Sequence, residues 1–347
     1  MKLQYYFISV LVIIATWFGT PNILAHGKEL PQRSQKATLE QVTSKVYLCF
    51  VIHTEEDDAK GVSGSVPSIP DYNGDQKVFD HFADAMYEYA AMLKTYGAFL
   101  SFQPDWTFVE GVKNFRPTYF QDLLALGTVE IVPHAHETVV RYDELYERLQ
   151  ELGANPKKII GGMAFEHFLK HKNWVASHPD WAFWDGPFVT IGHVNDQPAP
   201  PLVYRISTEH LSGVSDLYTH SSSSSVIVSP SLPDVDLRFK PSGNFIVPSY
   251  VFKATRFFLA ESNDLTVPLE WRKDPQGMQN GANMSASEQI EEIRSRITRE
   301  FLPLIAQGKL EFAPVHKIIN LFRSYESLLD LADGEQLIKY APIKSQL

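Results

Sequence analysis

Short apolar runs that end in polar or glycine-rich residues alternate along this chain with stretches of helical periodicity. The first run, Val46-Tyr47-Leu48-Cys49-Phe50-Val51-Ile52, is continuously apolar and rich in β-branched and aromatic residues, which predicts a strand buried on both faces. It leads into His53-Thr54-Glu55-Glu56-Asp57. A glycine- and proline-containing loop over 58–75 follows; its end, Asp71-Tyr72-Asn73-Gly74-Asp75, lacks the remaining ligands of a calcium loop and reads as a turn into a helix. Val78, Phe79, Phe82, Met86, Tyr89, Ala90 and Leu93 recur at helical spacing, and Gly97 supplies the stop. Ala98-Phe99-Leu100-Ser101-Phe102 predicts a strand that delivers Gln103-Pro104-Asp105-Trp106. A short helix over 117–126 is capped by Gly127, and a strand over 129–132 runs into His134-Ala135-His136-Glu137. A helix over 142–152 ends at Gly153, and 157–160 lead to Gly161-Gly162-Met163.

The second half is less regular. Strands are expected within 188–191, 202–206, 225–228 and 245–251, with loops at 198–201 and along the serine run 221–225. Helices are expected over 288–305 and 316–331, flanking a strand at 310–312. Successive strand-helix units favour a parallel sheet or a β/α barrel. No internal repeat or linker divides the chain, so 45–340 reads as one domain.

Lys2, the apolar stretch over 5–17, then Gly19, Pro21 and Ala25 match a secretory signal peptide over 1–25, with a membrane anchor as the alternative. Residues 26–44 are polar and aperiodic, an exposed lead-in. No later stretch reaches the ~18–20 apolar residues that span a bilayer, so the expected mature protein is exported, periplasmic or extracellular, without a membrane span. Of 347 residues, 44% are hydrophobic and 12% aromatic, which suits a packed core. The net charge of −10 disfavours nucleic acid as a partner. The single cysteine, Cys49, lies inside the first strand, where burial as a small apolar residue is expected, and it has no intramolecular disulfide partner.

Chemistry in α/β proteins collects at strand ends. Side chains two apart in a strand share a face, so His53 with Glu55, and His134 with His136, form candidate ligands converging on one divalent metal. Nitrogen and oxygen donors suit Zn²⁺, with Mn²⁺, Fe²⁺ or Co²⁺ as alternatives. Asp57 competes with Glu55 for the acidic ligand position. Asp57, Glu137 and Asp105 are the candidate catalytic carboxylates, acting as general base or orienting an imidazole. Asp105 has an alternative role as a helix N-cap. Gln103, Trp106, Trp184 and Asp185 are candidate substrate-binding residues, since flat indole faces suit sugar rings. Solitary His193, His220 and His316 read as structural. There is no Gly-x-Ser-x-Gly elbow and no Walker-type loop.

These residues together resemble the polysaccharide deacetylase superfamily, of the chitooligosaccharide deacetylase type. The family's first motif, Thr-Phe-Asp-Asp-Gly, falls at the place of 51–57, and its His-Ser/Thr-x-x-His motif is approached here by Gly127-Thr128-Val129-Glu130-Ile131-Val132-Pro133-His134. The chain departs from the pattern in several places. Thr138 stands where the second histidine falls, so His136 has to substitute for it. The Asp-Asp pair is missing, Gly161-Gly162 only faintly resembles the third motif and lacks its arginine, and Trp184-Asp185 is a loose match to the fourth. The resemblance implies an α/β fold, an irregular (β/α)7-type barrel. It also implies metal-dependent hydrolysis of carbohydrate, most simply deacetylation by a metal-activated water. The alternative is a non-catalytic glycan-binding protein on a degenerate barrel. Either way the partner is a carbohydrate, and the oligomeric state stays open.

Overall fold

The structure, a computed structural model, describes residues 46–54, 72–135, 139–161, 173–184, 203–206, 219–229, 249–253, 286–328 and 331–337. The expected signal peptide and lead-in lie outside the described residues, as do most of the 58–75 loop, the strand at 188–191 and the loop at 198–201.

The fold is α/β, with a parallel sheet curled into a half-barrel. Strand β1 (Val46–His53) pairs in parallel with β2 (Leu100–Gln103), and β2 with β3 (Val129–Ile131). On its other edge β1 takes two strands in succession: β9 (Leu310–Phe312) along Val46 to Leu48, then β8 (Ser249–Lys253) along Cys49 to His53. Beyond β3 the sheet continues to β4 (Ile159–Gly161) through the bridge between His134 and Gly161 and the bond from Gly161 N to Pro133 O at 3.1 Å. β5 (Ala182–Trp184) and β7 (Ile227–Ser229) extend it in parallel, and β6 (Tyr204–Arg205) closes it antiparallel to β7.

The continuous apolar run of β1 is explained by its two buried faces. Leu48, Phe50 and Ile52 join Leu100, Phe102, Ile131 and Ile160 beneath the outer helices. Tyr47, Cys49 and Val51 face the other way, joining Val132, Ile159, Ala182 and Ile227 against Val315, Ile318, Ile319 and Phe322 of a helix over Val315–Tyr325. One helix sharing a buried cluster with residues from so many strands fits a sheet curled around it.

Among the outer helices, α1 (Gln76–Thr95) follows the predicted spacing, burying Phe79, Phe82, Met86, Tyr89, Ala90 and Leu93. Asp75 caps it by accepting from Lys77 N at 2.8 Å, and Gly97 ends it at φ 66°. The next helix, α2 (Trp106–Phe115), is not among the predicted elements. Phe108, Val109 and Val112 are its buried stripe, and Asp105 is its cap. At Gly111 α2 approaches the turn before α1 so closely that a Cβ would lie 2.3 Å from the carbonyl oxygen of Tyr72. α3 (Tyr119–Leu124) and α4 (Tyr142–Glu151) fall where the glycines Gly127 and Gly153, both at positive φ, delimit them.

The long C-terminal helix predicted over 288–305 is three pieces: α5 (Ala286–Arg296), a π-helical turn at Ile297–Phe301, and α6 (Leu302–Ala306) with Pro303 in its first turn. The π turn is closed by Leu302 N donating to Ile297 O, directly before a proline that has no N–H to donate. The last helix, α7 (Val315–Tyr325), ends earlier than the predicted boundary at 331. None of the described helices is long and apolar enough to cross a membrane.

A polar clasp fastens the C-terminal segment to β6. Arg205 forms a bidentate ion pair with Glu326 through Nε to Oε1 and, at 2.7 Å, NH2 to Oε2. His220 is buried beside it; Glu335 O accepts from its backbone N, and its Nδ1 faces Arg205 N at 3.4 Å. Burial holds the His220 imidazole below its usual pKa and outweighs Glu326, Asp333 and Glu335, which act in the opposite sense; Arg205 reinforces the lowering. A depressed histidine stays neutral in the fold while the unfolded chain takes up a proton below about pH 6.5. Stability is therefore expected to fall as pH drops through that value towards the folded pKa. The urea midpoint measured from pH 7.5 to 5 checks this: the decline should be shallower in His220→Asn, and an equal decline in both proteins removes His220 from the account.

Candidate functional site

The C-terminal ends of β1, β2, β3 and β4 come together, and each leaves a polar or glycine residue there. β1 ends at His53, opposite Gln103 of β2. Thr54 follows, and its hydroxyl accepts from Asp105 N at 2.8 Å, tying the exits of β1 and β2 together. Past β3, His134 N donates to Pro104 O at 3.2 Å and His134 bridges to Gly161. Thr54, Gln103, Asp105 and His134 are all buried.

Asp105 has a double character. Its Oδ1 accepts from Thr107 N at 2.6 Å, from the Thr107 hydroxyl and from Phe108 N at 3.3 Å, which makes it the N-cap of α2. Its Oδ2 is buried and has no hydrogen-bond partner among the described residues. Gln103 is buried in the same way, with neither Oε1 nor Nε2 partnered among the described residues. Native folds rarely bury polar atoms unsatisfied, because such a group loses its water without replacement. That Gln103 and Asp105 carry such atoms side by side where parallel strands end marks this as the candidate site.

Of the candidate metal ligands, His53 is placed at the end of β1 and His134 is buried beyond β3. β2 lies between these strands, so their backbones stand about 10 Å apart across the sheet. Glu55, Asp57, His136 and Glu137 lie outside the described residues. Among the described residues no three His, Cys, Asp or Glu side chains gather as a metal group. Trp106 opens α2 and packs, half-buried, against the outer cluster. Trp184 ends β5 opposite Gly161, and Asp185 lies outside the described residues.

Deeper in the half-barrel sits a second polar group that the sequence reading did not single out. Glu130 of β3 is buried, and its carboxylate accepts from Val315 N at 2.6 Å, from His316 N at 3.4 Å and from His316 Nδ1 at 2.6 Å. It thus caps α7 from a strand remote in sequence. Burial, and then the nearby Glu130 charge, push the Cys49 thiol well above its ordinary range, so it stays protonated and unreactive.

No protein-family model and no curated relative matches the chain. Among solved structures it is similar to the crystal structure of a 4-alpha-glucanotransferase from Thermococcus litoralis, with a TM-score of 0.41 and 12% identity over 80% of this chain. The chain spans 40% of that protein's length.

Proposed function

We propose that the protein is an exported hydrolase acting on carbohydrate, with metal-dependent deacetylation as its reaction. The observation that carries the reading is that buried His134 and the Oδ2 of Asp105, buried and unpartnered among the described residues, both lie just past the ends of neighbouring parallel strands. An imidazole nitrogen and a carboxylate oxygen are donors of the kind Zn²⁺ takes, so the described residues fit such an ion in chemical type. His53, Glu55, His134 and His136 would hold it, with Asp57 as the alternative acidic ligand. When bound, the metal supplies an acidified water and polarises the acetyl carbonyl. Asp105 then accepts a proton through Oδ2 while the α2 cap holds its Oδ1 in place; Glu137 and Asp57 are the other candidate bases.

A second reading, a glycan-binding protein without turnover, draws on the same residue. Capping α2 is already a sufficient structural reason for Asp105 to be there.

Metal content and acetate release from tetra-N-acetylchitotetraose test the proposal. The expected result is about one transition metal per mature chain, in keeping with a single-ion site, and acetate release, with both lost in His53→Ala and His134→Ala. A metal-free wild type that cannot be reloaded overturns the metal-hydrolase reading. Metal retention in His134→Ala overturns the ligand assignment.

A further inference from the structure

We propose that the carboxamide of Gln103 is a sugar-binding group that pairs with two adjacent hydroxyls of an uncharged ring, a proposal that rests on the carbohydrate reading above. Two independent observations meet at this side chain. The first is that the amide is fully buried with its donor and its acceptor both unpartnered among the described residues. A fold retains such a group against its desolvation cost where a ligand completes the bonds.

The second is the space cleared for it on the neighbouring element. A Cβ on Gly161 would lie 2.2 Å from Oε1, 2.5 Å from Cδ and 2.9 Å from Nε2 of Gln103. The amide therefore lies against bare backbone, and any side chain at 161 would displace it. Gly161 is also the residue to which His134 bridges, so the amide and His134 share one neighbour within the candidate site.

The amide fits a neutral ligand that both donates and accepts, and on the carbohydrate reading that is a pair of hydroxyls. In one plane it presents an acceptor oxygen and a donor nitrogen. A carboxylate or phosphate satisfies only the nitrogen, and a cation only the oxygen. Two neighbouring hydroxyls satisfy both, one donating to Oε1 and one accepting from Nε2. The chain's net charge of −10 also disfavours an anionic ligand.

Titration calorimetry of the full mature chain with cellotetraose, mannotetraose and tetra-N-acetylchitotetraose tests the inference, with a thermal melt of each variant. At least one of the three oligosaccharides is expected to bind the wild type. Gln103→Met, unbranched and of similar length, should weaken that binding by about tenfold or more, the scale set by leaving sugar hydroxyls unpaired. It should melt at or above the wild-type temperature, because it removes the unsatisfied amide. Gly161→Ala, which keeps the amide but pushes it from its place, should weaken binding similarly. Wild-type affinity in Gln103→Met or in Gly161→Ala overturns the inference and leaves the carbohydrate reading standing. A Gln103→Met protein that melts well below wild type also overturns it, because the amide is then a structural element. Failure of all three oligosaccharides to bind the wild type overturns the carbohydrate reading and this inference with it.

Discussion

Glu130→Ala is expected to destabilise the protein by about 2–4 kcal/mol, combining an unsatisfied buried donor with a small cavity. The carboxylate receives Val315 N and both nitrogen donors of His316, so its removal strips the first turn of α7 of its acceptor. Water does not easily replace it, because Glu130 is 3% exposed and Val315 is fully buried. Glu130→Gln separates the contributions. It keeps the volume and one acceptor oxygen for Val315 N, and loses the charge and the oxygen that receives the two His316 nitrogens, so a smaller loss of about 1–2 kcal/mol is expected. Urea midpoints at constant m-value give both numbers. An alanine variant within 0.5 kcal/mol of wild type, the usual range of neutral surface changes, would show that α7 needs no acceptor from β3.

Gly111→Ala sets two effects of opposite sign against each other. Alanine gains roughly 1 kcal/mol over glycine inside a helix. Against this stands a Cβ placed 2.3 Å from Tyr72 O and 2.6 Å from a ring carbon of Phe79. Tyr72 O is backbone, in a turn whose own side chain is buried against Phe82 and Phe108, so it cannot rotate aside. Relief requires α1 and α2 to part, at a cost of about 3 kcal/mol. A net loss of about 2 kcal/mol follows, read as a lower melting temperature. A variant that melts at or above wild type would show that the two helices separate freely.

Elements whose cause is local were legible in the sequence. The both-faces-buried strand β1, the α1 stripe, and the stops at Gly97, Gly127 and Gly153 each declare themselves within a few residues. α2 was legible too, from Phe108, Val109, Val112 and Phe115 behind Asp105. Asp105 was legible as a candidate N-cap, and the apolar stripe behind it is the signal that a helix follows. What depends on distant partners could not be read. Nothing near Glu130 announces that it receives the start of a helix at Val315, and nothing near Gly161 announces the amide of Gln103. Gly161 stood out only as part of an incomplete motif, while its physical role is to leave room. The sequence placed His53 and His134 at strand ends but did not show that β2 stands between them.

The shared edge of β1 bears on how the chain acquires its structure. An almost wholly apolar strand is synthesised well before its partners, and one of its edges waits for Ser249–Lys253 and then Leu310–Phe312. Contacts so remote in sequence must overcome loop-closure entropy before they contribute any stability. Until they form, the nascent protein carries an open apolar edge of the kind that recruits other strands. The same pairing that anchors the finished sheet from both halves of the chain therefore makes β1 the point at which an incomplete chain is most exposed to misassembly.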